Sequence, residues 1–425
     1  MLPISDGRRP SRPTRHGTAG ILESDRRKVQ DTNVNNPRQL RLWGLALICA
    51  SLAACTTAPF APSRICSTPQ ARPWSLLGEI RWPHDQLFAG TTVGGLSSID
   101  YDAGSNLYYL VSDDRSTHGP ARFYTARIEY DAGGLHRVTV QSAQPLLSPT
   151  GRPYPSGRQP GPGIATPDAE ALRVLPGGQS LLWSSEGDFA RGFGPQLLQS
   201  GTDGRWQREW PLPPGLRLPA SKSEGPRSNF TLEGLALSQD GRTLWLAMEA
   251  ALRQDGPLPA AGQAGGPVRI TAYDMDTQQP VRQMAYLPDA LPTGLWLQHR
   301  AINGISDVLA DGPEHLLVLE RSFAPPLRFG ARIYRISTHA DASSDTLGQT
   351  RLVPGSYRPA DKELLLDLAD AGLRSVDNLE GMSWGPRLPD GRRVLLLVSD
   401  NNFNPAEVTQ FVALSEERDR CGAGL

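Results

Sequence analysis

The sequence predicts an all-β fold, a β-propeller of about five four-stranded blades closed by a strand from the N-terminal side. Three observations carry this. One hairpin pattern is written five times between residues 94 and 400. Further strand-like runs join the copies, with no helical stretches between them, which points to radial β-architecture. The composition, with 43 Gly and 38 Pro in 425 residues, supplies many turns and argues against a helical bundle.

The clearest copy is Asn229–Glu249. It has a small apolar strand, a turn at Asp240-Gly241 and a second apolar strand ending on an acid. Two apolar runs joined by Asp-Gly form a strong hairpin signal. The other copies run from Gly94 to Asp113, Ala169 to Glu186, Ile302 to Glu320 and Leu379 to Asp400. Their spacing is ~60–80 residues, longer than the ~40–50 of familiar propeller repeats, and the excess sits in Pro/Gly-rich loops. A third strand follows each hairpin, as at 123–128, 268–273 and 331–336, and a fourth follows that, as at 206–212, 281–287 and 363–368. The last unit ends after its third strand, 409–414, and the run 74–82 is placed to supply its fourth. Loops at 145–167, 212–229 and 253–267 are long for tight blade connections. They either cover one mouth of the ring or are disordered.

The formal charge of −1 gives no sign of a nucleic-acid partner. No apolar run reaches the ~18 residues of a spanning helix. Arg38 and Arg41 precede a short apolar stretch and then Leu52-Ala-Ala-Cys55, the layout of a secretory signal. This ending resembles the lipobox of bacterial lipoproteins, which implies cleavage before Cys55, acylation of that residue and a membrane anchor. A plain signal peptide with a chance cysteine is the alternative. Residues 1–36 are then a start assigned too early or a disordered stretch, 37–54 the signal, 55–73 a linker and 74–421 the folded domain. Thr56 after the cysteine favours export to the outer membrane, facing the periplasm. Cys66 and Cys421 stand near the two ends of the mature chain. A ring brings its ends together and an exported compartment permits disulfides, so a Cys66–Cys421 bridge is expected. Two unpaired thiols in terminal tails are the alternative.

The start of a hairpin's first strand and the end of its second lie side by side. The first position holds Gly94, Glu170, Glu233, Asn303 and Glu380; the second holds Asp113, Glu186, Glu249, Glu320 and Asp400. With the first strands innermost, both sets converge at one end of the axis. Clustered carboxylates repel strongly and need a cation, protons or basic partners. Oxygen-only ligands suit Ca2+. Zn2+ is not indicated, since the seven His show no metal spacing. The bland alternative is that these acids accept backbone N–H bonds or pair with Arg115 and Arg321. Asp113-Asp114-Arg115 and the 399–403 loop look like ligand loops, Asp188 belongs with them, and His118 reads as a surface residue. There is no Gly-x-Ser-x-Gly, P-loop or dinucleotide fingerprint.

Taken together, several motifs resemble the family described as having esterase-like activity of phytase. They are Gly94-Gly-Leu-Ser97, Ser112-Asp-Asp-Arg115, Asp168-Ala-Glu-Ala-Leu172, Asn229-Phe-Thr-Leu-Glu-Gly-Leu235, Asn303-Gly-Ile-Ser-Asp307, Leu319-Glu-Arg-Ser-Phe323 and Asp377-Asn-Leu-Glu-Gly-Met382. The resemblance spans about residues 76–415, tolerates six blades and implies an exported propeller acting on phosphoric or carboxylic esters. If that chemistry holds, Asp113, Glu170, Glu233, Asp307, Glu380 and Asp400 are the expected Ca2+ ligands. Glu186 or Glu249 would accept a proton, and Arg115 and Arg321 would hold phosphate oxygens. The expected partners are a small ester substrate and, through Cys55, a membrane. Two other readings stay open: a non-catalytic envelope lipoprotein that binds a protein or glycan, and a lactonase-type Ca2+ propeller.

Overall fold

The computed structural model describes residues 74–219, 221–291, 301–326 and 328–417. The expected signal peptide at 37–54, the lipidated Cys55, the linker at 55–73 and the Cys66–Cys421 bridge lie outside them.

The described chain begins with β1 (Trp74–Pro83) and a short hairpin, β2 (Leu87–Phe88) and β3 (Thr91–Thr92). Blade one is β4 (Leu96–Asp102), β5 (Leu107–Ser112), β6 (Arg122–Asp131) and β7 (Gly134–Pro145). Blade two is β8 (Ala169–Val174), β9 (Ser180–Ser185), β10 (Gln196–Gly201) and β11 (Trp206–Trp210). Blade three is β12 (Leu232–Leu237), β13 (Thr243–Met248), β14 (Val268–Asp274) and β15 (Gln279–Tyr286). Blade four is β16 (Ile302–Ala310), β17 (His315–Ala324), β18 (Arg328–Ser337) and β19 (Lys362–Asp367). Blade five is β20 (Leu379–Gly385), β21 (Val394–Ser399) and β22 (Val408–Glu416), with β1 as its fourth strand. All pairings within the blades are antiparallel. β1 joins β22 from Trp74 opposite Glu416 to Pro83 opposite Val408, so the two ends of the propeller close one blade. This is the five-bladed, N-terminally closed ring that the repeats predict.

The first strands β4, β8, β12, β16 and β20 pack on one another around the axis. They and the second strands are buried on both faces, which is why they read as near-continuous apolar runs. The fourth strands lie outermost and alternate with solvent, as in β7 and β15. The core lies between the blades, where Phe123, Trp183, Trp210 and Phe411 are among the largest fully buried side chains.

Each innermost strand is interrupted at the same place. Its pairing with the second strand shifts by one residue, leaving Ser97, Glu170, Glu233, Ser306 and Glu380 at a β-bulge. A bulge bends the strand and re-aims its side chain. The position after it holds Ser98, Ala171, Gly234, Asp307 and Gly381. Four of the five are small because the neighbouring inner strand passes very close. A Cβ on Gly234 would stand 2.8 Å from the Val308 nitrogen, and one on Gly381 2.8 Å from the Ser98 Cα. Hence the recurrent Glu-Gly pair: the acid is turned toward the mouth and the glycine lets the strands meet.

Asp307 is the exception at this position. Its carboxylate accepts bonds from Nη2 of Arg173 (3.0 and 2.9 Å) and from the Met382 N–H (2.8 Å). Arg173 also donates to the carbonyls of Leu172 and Ile99. This buried pair ties β4, β8, β16 and β20 together inside the ring. Asp307 therefore does not join the acids at the mouth, contrary to its expected place among the cation ligands. One residue beyond its bulge, its side chain reaches Arg173 of blade two instead.

Candidate metal centre in the axial cavity

The bulges also fix which residues are truly equivalent. The residue of the second strand that follows the partner of the pre-bulge position is Asp113, Glu186, Glu249, Arg321 or Asp400. In blade four the equivalent of the repeated acid is thus Arg321 and not Glu320, and the equivalent of the bulged acid is Ser306 and not Asn303. Likewise Ser97, rather than Gly94, takes the bulge in blade one. Glu320 points elsewhere. It accepts bonds from Lys362 (2.6 Å), Asn303 (2.8 Å) and Tyr286 (2.5 Å), a closed network between blades three and four.

At the mouth lies a cavity of about 490 Å³. Its described lining includes eight carboxylates, those of Asp113, Glu170, Glu186, Glu233, Glu249, Glu380, Asp400 and Glu407, and one cationic side chain, Arg321. Asn229, Phe230, Ile302, Phe323, Phe329, Asn378, Asn402 and Asn404 complete it. Asn229 and Phe230 bring the end of the 212–229 loop to this mouth. Arg115 is not part of the lining. Its guanidinium sits 3.3 Å from Asp168 and 3.5 Å from Asp188, with the side chain 39% exposed. His118 stacks on Phe403 at 4.2 Å between ring centres.

Some of these acids are held by protein donors. Glu186 accepts the Thr231 N–H. Glu380 accepts from Asn378 (2.9 Å) and Arg321 (3.1 Å), and Arg321 also stands 3.4 Å from Glu249. Asp400 accepts the Asn402 N–H at 2.7 Å. Glu407 is held by Asn402 and Asn404. Others have no such help. Among the described residues no donor reaches the carboxyls of Asp113, Glu170 or Glu233, although Glu170 and Glu233 are 8% and 6% exposed.

Burial without compensation raises a carboxyl's pKa, and neighbouring carboxylates raise it further. Burial pushes Glu170 well above the usual range, with Glu233, Asp168 and Asp113 adding to it. Glu233 is raised likewise by burial and then by Glu249 and Glu186. Asp113, Glu186 and Asp400 follow the same pattern. Glu249 is pushed up to about 7 by burial, against the pull of Arg321. Asp168 rises to about 6 by burial, against Arg115.

Two sets of three acids bring one oxygen each to within 4.8 Å of one another: Asp168, Glu170 and Glu186, and Glu186, Glu233 and Glu249. Glu186 belongs to both. The donors are all carboxylate oxygens, the ligand type of hard divalent cations. Buried carboxylates that no protein donor satisfies are costly unless a counter-charge meets them. The residues present therefore fit a cation such as Ca2+. Of the expected ligands, Glu170 and Glu233 fall in these sets, as do the expected proton acceptors Glu186 and Glu249. Asp113, Glu380 and Asp400 line the same cavity outside them. Asp168, Asn378 and Glu407 escaped sequence reasoning. Asp168 and Asn378 had a signal available, since each stands two residues before a bulged acid.

The fold and this cavity define a five-bladed β-propeller with an acid-lined axial site. The chain belongs to the phytase-like family described as "Esterase-like activity of phytase", which matches residues 91–403. That membership suggests a hydrolase-type function. Comparison with curated protein sequences finds no match. Among solved structures, the catalytic domain of the GH62 α-L-arabinofuranosidase of Coprinopsis cinerea is 11% identical, covering 81% of this chain and 97% of that one, with a TM-score of 0.39. Hydrazine synthase of Kuenenia stuttgartiensis is 12% identical, covering 74% and 81%, with a TM-score of 0.34. Likeness this distant carries no functional argument.

Proposed function

We propose that the protein is an exported, membrane-anchored hydrolase of phosphoric or carboxylic esters that uses Ca2+ at the acidic mouth. The observation that carries this is the pair of carboxylate triads sharing Glu186, with Glu170 and Glu233 buried and without protein donors. Asp168, Glu170, Glu186, Glu233 and Glu249 would hold the metal. Bound there, a divalent cation supplies Lewis-acid polarisation of the ester and a more acidic water.

The chain's own groups divide the remaining work. Arg321 is oriented by Glu249 and Glu380 and donates to the oxygen on which negative charge develops. Asp113 lines the cavity outside both triads and has no donor of its own, so it is placed to take a proton from the attacking water. The assignment of that role to Glu186 or Glu249 gives way, because both fall within the cation-holding sets. Arg115 orients Asp168 and leaves substrate contact to Arg321. Ester hydrolysis by the full chain should stop with EDTA, return with Ca2+ and be lost in Glu186→Gln. Activity that survives both EDTA and Glu186→Gln would reject the proposal.

A further inference from the structure

The wall beside the acids is not polar. Phe230, Ile302, Phe323 and Phe329 belong to the lining and are only half-buried, and Ile302 stands opposite Phe323 across the β16–β17 pair. Phe323 and Phe329 stand opposite each other on β17 and β18, with ring centres 5.2 Å apart. Phe323 lies two residues beyond Arg321 on the same strand, and residues two apart share a face. The sole cationic side chain of the described lining and the Phe323–Phe329 pair therefore share one face of the blade.

Charge narrows the ligand further. Arg321 is the one cationic side chain of the described lining, and it is already engaged by Glu249 and Glu380. Among the described lining residues no second Lys or Arg is present to receive further phosphates. Beyond the metal, a polyphosphate would set its further phosphates against carboxyl groups and phenyl rings. Ligand sites that bind organic groups pair apolar walls with a few polar groups, as here.

We propose that the substrate is a neutral or singly charged ester carrying an apolar, aromatic-sized group that packs on Phe230, Phe323 and Phe329, and that it is not a polyphosphate. This rests on the hydrolase reading above and narrows its substrate class.

The test compares 2-(2-naphthyl)ethyl acetate with ethyl acetate, whose leaving alcohols differ little in acidity, using the full chain with Ca2+. Inositol hexakisphosphate is the polyphosphate probe. The expected result is a kcat/KM preference of at least about tenfold for the naphthyl ester, with the ratio collapsing in Phe323→Ala and Phe329→Ala. Inositol hexakisphosphate should be neither hydrolysed nor bound, the latter read by unfolding temperature. Turnover or tight binding of inositol hexakisphosphate, or an unchanged ratio in the Phe variants, overturns the inference and leaves the hydrolase reading standing. Should neither acetate be turned over, the carboxylic-ester form of the hydrolase reading fails by itself, and binding of 2-(2-naphthyl)ethanol, followed by its fluorescence, decides the wall. Binding that weakens in both Phe variants supports the apolar subsite; no binding overturns it.

Discussion

Removing the guanidinium of Arg173 leaves the carboxylate of Asp307 buried inside the ring with backbone donors alone. The two side chains are 2% and 1% exposed and 2.9 Å apart, so solvent screening relieves little of the loss. Breaking such a pair from one side costs about 3–5 kcal/mol, whereas replacing both partners by apolar groups of similar volume is often close to neutral. Arg173→Met and Asp307→Leu should each lose that amount in urea denaturation, and the double variant should lose less than the sum of the two. The recovery will fall short of complete, because the Met382 and Val308 N–H groups lose their acceptor and the Ile99 and Leu172 carbonyls lose a donor, and each unmade buried bond costs about 1–3 kcal/mol. The same variants should keep the Ca2+ response of the wild type, since Asp307 faces Arg173 and not the acid cavity. Single variants that lose less than about 1 kcal/mol, or a Ca2+ response abolished by Asp307→Leu, would refute the reasoning.

Three further outcomes are expected. In EDTA, stability should fall as pH rises from the ordinary carboxylate range through about 7, the value to which Glu249 is raised. The native cavity binds protons that the unfolded chain has already released, so its stabilisation is present below the unfolded pKa and lost above the folded one. Thermal unfolding across that window with and without Ca2+ checks this, and a rise in apo stability with pH contradicts it. Gly234→Ala forces a Cβ to within 2.8 Å of the Val308 nitrogen and should cost about 1–3 kcal/mol, as overpacking does; a neutral result would mean that the inner strands can move apart. Deleting β1 from the propeller domain removes the strand paired along β22. The exposed edge should make that variant aggregate, which light scattering would show and added β1 peptide would reduce.

Much of this architecture could be read in the sequence because a blade repeats its local chemistry. Asp-Gly turns at 240, 311 and 390 and apolar runs on either side mark the hairpins, and acids ending the second strands mark the mouth. The site was harder where a single residue of register decides which way a side chain faces. Glu320 sits next to Arg321, and only the bulge at Ser306 shows that the arginine is the one in the ring. Asp307 was misplaced for the same reason, its partner Arg173 being 134 positions away. Phe323 and Phe329 face each other across one hairpin, but Phe230 enters from the segment before β12, so nothing local in the sequence joins it to them.

The central claim is that the axial acids hold a cation. Isothermal titration of the full chain, stripped with EDTA, with CaCl2 tests it most directly, in parallel with Glu186→Gln. The account predicts binding to the wild type, a higher unfolding temperature in Ca2+ through mass action on the folded state, and loss of both in the variant because its carboxylate serves both triads. No heat and no shift in the wild type, or a wild-type response in Glu186→Gln, would contradict it.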